Sequence, residues 1–165
     1  MAEYYYFAAQ LPLLQFKEKS FFSRGSFLDE ARKWFSPRDL AALEAADIDD
    51  FSPSPGDPGA LRNYKEFEST LREEVVRYRH AQKNQGDYKP QGDTAAIILE
   101  GDPLEKETNL LRVRWDFIEE FEQGHYFDLA FFIAYFLKLQ IVERLETFNK
   151  EQGKEKFTQI CEVTL

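Results

Sequence analysis

Glu122-Gln123-Gly124-His125 fits E-x-x-H, the spacing by which carboxylate-bridged di-iron bundles bring a carboxylate and an imidazole to one side of a helix. A centre of that kind needs two such motifs and two further inward glutamates. The only other histidine is His80, and Arg77 stands three residues before it. Gly124 also ends the helix that would carry the motif. The spacing therefore reads as a solvated glutamate beside a corner histidine, and no metal site and no cofactor are expected. Neither histidine has an Asp/Ser or Cys neighbour in a recognisable nucleophile motif, and neither a Walker loop nor G-x-G-x-x-G occurs. No catalytic residue is assigned. An enzyme of another type needs a polar pocket gathering His80 or His125 with two carboxylates.

The remaining chemistry lies in charges placed on apolar faces. At about 100° per residue Arg114 falls among Leu110, Phe117, Ile118 and Phe121, with Glu107 on the same side two turns earlier. Glu143 falls among Phe132, Phe136 and Leu139. A buried arginine is costly unless paired, so Arg114 is expected to meet Glu107 or Glu143 and fix the register of two helices. The alternative is that helix rotation lets these long side chains reach water. A second mixed face, Ile133, Leu137, Gln140 and Arg144, has the apolar centre and polar rim of a docking surface. Its alternative is ordinary burial under the N-terminal arm.

The element that must position these groups is 128–148, DLAFFIAYFLKLQIVERLETF, apolar around the whole helical cylinder and capped by Asp128. Its uninterrupted apolar run, Leu129 to Leu137, falls well short of the ~20 residues a bilayer requires, so no membrane insertion is expected. Asp102-Pro103 opens a partner helix ending near Gly124, and the corner at 125–127 makes the two an antiparallel pair. Leu61, Tyr64, Phe67, Leu71, Val75 and Tyr78 give a long amphipathic helix to about Gln85. Ser26 and Ser36-Pro37 open two short helices, and 47–60, with its prolines and glycines, reads as a surface loop. Tyr4 to Leu14 is an apolar arm that periodicity leaves open between strand and helix. One or two buried turns are expected over 94–100, while Gly153 interrupts the polar C-terminal end. The expected fold is all-α, one irregular bundle of about five to seven helices covering 1–165.

Composition narrows the functions. Of the 165 residues 16% are aromatic, which favours a packed core over disorder. A net charge of −9 argues against nucleic acid and suits a partner with basic loops. The single Cys161 excludes an internal disulfide and points to a reducing, cytoplasmic setting. The opening MAEYYYFAAQ has no basic n-region and no long apolar core, so no export signal is expected.

Three pieces together carry a resemblance. They are Tyr4-Tyr5-Tyr6 leading to Leu11-Pro12, then Asp102-Pro103-Leu104-Glu105 with Glu107, Arg114 and Trp115, and finally Phe127-Asp128-Leu129 into Ala134-Tyr135, Leu137-Lys138-Leu139-Gln140 and Glu143-Arg144. This resembles a small bacterial family encoded among the components of V/A-type ATPases. That family is itself similar to a shortened form of the three-lobed, funnel-like component that seats the rotor shaft of such ATPases on the membrane ring. The resemblance implies an all-helical, non-catalytic part that joins the central stalk to the membrane rotor ring. It would lie in the cytoplasm, peripheral to the inner membrane through the complex, with a homodimer as a further option. The rival expectation is a stand-alone helical adaptor or regulator without any ATPase.

Overall fold

The computed structural model describes residues 2–86, 92, 94, 97, 99–148 and 150–162. Of the turn expected over 94–100, residues 95, 96 and 98 lie outside them; 94, 97 and 99 are helical, but Leu99 is 54% exposed rather than buried. Among the described residues there are seven helices and no strand, so the fold is all-α as expected. They are α1 (Ala2–Gln10), α2 (Arg24–Trp34), α3 (Pro37–Glu44), α4 (Gly59–Lys83), α5 (Pro103–Glu122), α6 (Leu129–Glu146) and α7 (Lys150–Glu162).

Local chemistry sets the ends. Ser23, not Ser26, caps α2: its side chain accepts from the Ser26 N–H, which moves the start back one turn. Ser36 accepts from the Asp39 N–H ahead of Pro37 at the first position of α3. Asp102 and Glu105 form a reciprocal capping box at α5. Gly124, at φ +87°, supplies the left-handed turn that stops α5 and sends the chain back. Asp128 then caps α6 by accepting from the Phe131 N–H. The arm left open between strand and helix is α1. At the other end α7 runs through Gly153, since a helical glycine costs only ~1 kcal/mol against alanine and does not by itself break the helix.

Helix α6 is the centre. Every residue from Phe132 to Val142 is buried, which explains why no polar face is legible in its sequence. Helices α2, α3, α4 and α5 all pack on it. On one side the core is aromatic: Phe7 stacks on Phe132 at 5.1 Å, and Phe27 stacks on both Tyr135 (5.6 Å) and Phe136 (5.2 Å). The Tyr135 hydroxyl donates to the Pro12 carbonyl at 2.8 Å, pinning the segment after α1, and burial pushes its pKa up. On the other side Leu111, Trp115 and Ile118 of α5 join Leu61 and Tyr64 of α4 in the same core. None of the helices described is long and apolar enough to cross a membrane.

Candidate functional site

Three of the polar residues flagged by the sequence, Glu107, Arg114 and Arg144, are drawn into one alternating chain of charges. Arg114 is buried, and its Nε and Nη2 donate to the two oxygens of Glu68 at 2.8 and 2.9 Å. Its expected partners are therefore corrected: neither Glu107 nor Glu143 takes it, because α4 lies across that face of α5 and presents a carboxylate there. Arg72, one turn on from Glu68, donates to it at 2.8 Å and reaches Asp49 at 3.2 Å. Asp49 accepts again from Arg144 at 3.0 Å, and Arg144 meets Glu107 at 3.5 Å. Glu143 turns the other way, bonding the backbone N–H and guanidinium of Arg24 at 2.9 and 2.6 Å.

The series Glu107, Arg144, Asp49, Arg72, Glu68, Arg114 thus alternates in sign and ties α4, α5 and α6 to the loop after α3. Burial alone would push the Arg114 pKa down; the bonds and charge of Glu68 outweigh it and hold it above its ordinary value. Tyr64 lies beside the pair, and its pKa is raised by burial and then by the Glu68 charge.

The docking face expected on α6 is also corrected. Ile133 and Leu137 are fully buried, and Gln140 is 4% exposed. Gln140 works inward instead: its Nε2 donates to the Ala46 carbonyl at 2.8 Å and its Oε1 accepts from the Ile48 N–H at 3.1 Å. The Tyr64 hydroxyl donates to the Ile48 carbonyl at 2.9 Å, so both backbone groups of Ile48 are held by side chains. Arg144 keeps part of its surface in water but serves the network. Gln140 of this stripe is bonded to the chain's own 46–48 segment, which short-range periodicity does not reveal.

A second ion cluster is not foreseen from the sequence. Lys65 of α4, nearly buried, reaches Asp50 at 2.9 Å and Asp57 at 3.0 Å, clasping both ends of the loop. Burial would lower the lysine and raise the two acids; their mutual bonds dominate, so Lys65 sits above and Asp50 and Asp57 below their ordinary values. For Glu68 a signal existed. Leu61, Tyr64, Glu68, Leu71 and Val75 repeat at three and four, so an acid stands on the apolar stripe. For Lys65 nothing in the sequence says how the loop folds back.

The E-x-x-H residues go to separate partners. Glu122 pairs with Lys138, which also lies over the Trp115 ring, while His125 Nδ1 meets the Asp128 cap at 2.5 Å. That contact and the Phe131 N–H outweigh burial and hold the Asp128 carboxyl below its ordinary range. His80 contacts Asn84. No group of three or more metal-ligating side chains occurs among the described residues.

A groove of about 740 Å³ opens between α4, α5 and the loop, lined by Leu71, Val75, Val76, Leu110 and Phe51 beneath the charged chain. Arg72 lies over the Phe51 ring at 4.8 Å. Of the arginines lining the groove, Arg79 alone has no carboxylate partner among the described residues. The charged heads of Arg72, Arg114 and Arg144 are committed to carboxylates and brace the helices.

Among known families, one model matches residues 93–164, described as a protein of unknown function (DUF2764). The matched stretch contains α5, α6 and α7. No curated protein and no solved structure matches the chain.

Proposed function

We propose that this chain is a non-catalytic coupling or assembly subunit of a bacterial V/A-type ATPase, docking the central stalk to the membrane rotor ring. The reading rests on the sequence resemblance, and one structural observation supports it. Four of the charged residues that carry the resemblance on α5 and α6 brace the body: Glu107, Arg114 and Arg144 lie in the alternating chain, and Glu143 anchors the start of α2. A part that transmits torque must resist local opening, and cross-links between α4, α5, α6 and the loop act against it. The chain would act at the cytoplasmic face of the inner membrane, through its neighbours in the complex rather than by insertion.

Deleting the gene in the native host tests this. The expected result is ATP hydrolysis that continues in the soluble head but no longer drives ion movement in membrane vesicles. Unchanged pumping would favour the stand-alone adaptor.

A further inference from the structure

We propose that two copies of this chain associate, α7 of each seating its Phe157 edge on an acid-rimmed aromatic trough formed by α4 and α5 of the other. This is independent of the ATPase reading.

The trough lies away from α6. Phe67 of α4 stacks on Phe117 of α5 with ring centres 4.0 Å apart and planes 5° from parallel, and Phe121 meets Phe117 edge-on at 5.8 Å. All three rings are only half-buried. Grooves of about 530 and 640 Å³ flank the stack and share Phe67, Phe117 and Glu120. Their rims carry Glu66, Glu100, Asp116 and Glu120 against one cation, Arg112, which is itself bound to Asp116 at 2.8 Å. Glu66, Glu100 and Glu120 have no cationic partner among the described residues. An apolar surface rimmed by carboxylates, three of them without a cationic partner among the described residues, suits an apolar edge flanked by lysines.

Helix α7 has that edge. Its side chains over 153–161 are all exposed, with Phe157 and Ile160 each at 69%. At about 100° per residue, Ile160 and Lys154 lie on either side of Phe157, Cys161 falls close to Lys154, and Lys156 borders Ile160. Glu155 points to the opposite side. A helix of 13 residues containing a glycine is marginal in water unless an apolar face is covered. At 1.5 Å per residue its 13 residues span about 20 Å, as do the 13 residues of α5 from Asn109 to Phe121. The chain thus carries both an apolar helix edge flanked by Lys154 and Lys156 and an acidic apolar trough, and exchange about a two-fold axis satisfies each twice.

Sedimentation of the full chain over a wide concentration range, with far-UV circular dichroism to confirm folding, tests this. A dimer is expected. Lys154→Glu with Lys156→Glu, or Glu66→Lys with Glu120→Lys, should each weaken it about tenfold, and mixing the two variants should restore association. Glu120→Cys gives Cys161 a thiol partner on the trough, so oxidised glutathione should join two chains. A monomer at every concentration, a dimer indifferent to both charge reversals, or a disulfide closed within one chain would each overturn the proposal.

Discussion

Arg114 and Glu68 meet through two parallel N–H···O bonds, 2.8 and 2.9 Å long, between helices that are 46 residues apart in sequence at this contact. The carboxylate is wholly buried, and the guanidinium side chain is 9% exposed. A fork-to-fork pair of this kind fixes both the rotation and the register of α4 against α5, because a slip of one residue breaks both bonds.

Removing one partner leaves the other charged and buried. Arg114→Ala is therefore expected to destabilise by about 3–5 kcal/mol, whereas Arg114→Met with Glu68→Leu should recover most of that loss. Glu107→Ala removes only a half-exposed contact at 3.5 Å and should change stability by less than about 1 kcal/mol. Urea denaturation of the three variants checks the ranking. Equal losses for Arg114→Ala and Glu107→Ala would disprove the assignment.

Gln140 holds the loop as a backbone strand would. Gln140→Leu leaves the Ile48 N–H and the Ala46 carbonyl without partners, which should cost about 1–3 kcal/mol. Amide exchange should show the Ile48 N–H losing protection while the centre of α6 keeps it. Uniform loss of protection would mean the glutamine supports the whole core, not this loop.

Ile133→Glu and Leu137→Glu should prevent folding, since each places a carboxylate in a site with no access to water. Circular dichroism would show lost helicity. A folded Ile133→Glu variant would contradict the burial of this face.

The Lys65 cluster sets a pH response with a definite sign. Asp50 and Asp57 have folded-state pKa values below their ordinary 3.8, so the stability they contribute is present above about 4 and is lost as pH falls through the lower folded values. Lys65 is raised, so its contribution is complete below 10.5 and is lost as pH rises through its folded value. Lys65→Met should flatten the acid-side fall in thermal stability. An unchanged profile below pH 4 would show that the cluster does not govern it.

The sequence made the helices legible and misplaced their contacts. Caps at Ser36, Asp102 and Asp128 follow from side-chain chemistry within three residues, so they could be read directly. The need of Arg114 for a carboxylate was equally legible, since it stands at the middle of an apolar face. Glu68, an acid on the apolar stripe of α4, was a readable candidate, but the choice among Glu68, Glu107 and Glu143 depends on how α4 crosses α5, which no local pattern encodes. The same holds for Ile133, Leu137 and Gln140. Their mixed character looks like a docking rim, yet all three are buried, and Gln140 is spent on Ala46 and Ile48 of the loop, a contact that periodicity does not encode.

The most direct test of the coupling role is a gentle detergent purification of the tagged chain from its host's membranes, with the co-purifying chains identified. That role predicts the ATPase shaft and ring proteins at a fixed ratio to the tagged chain. Recovery of the chain alone from the soluble fraction, with the ATPase intact and free of it, would contradict it.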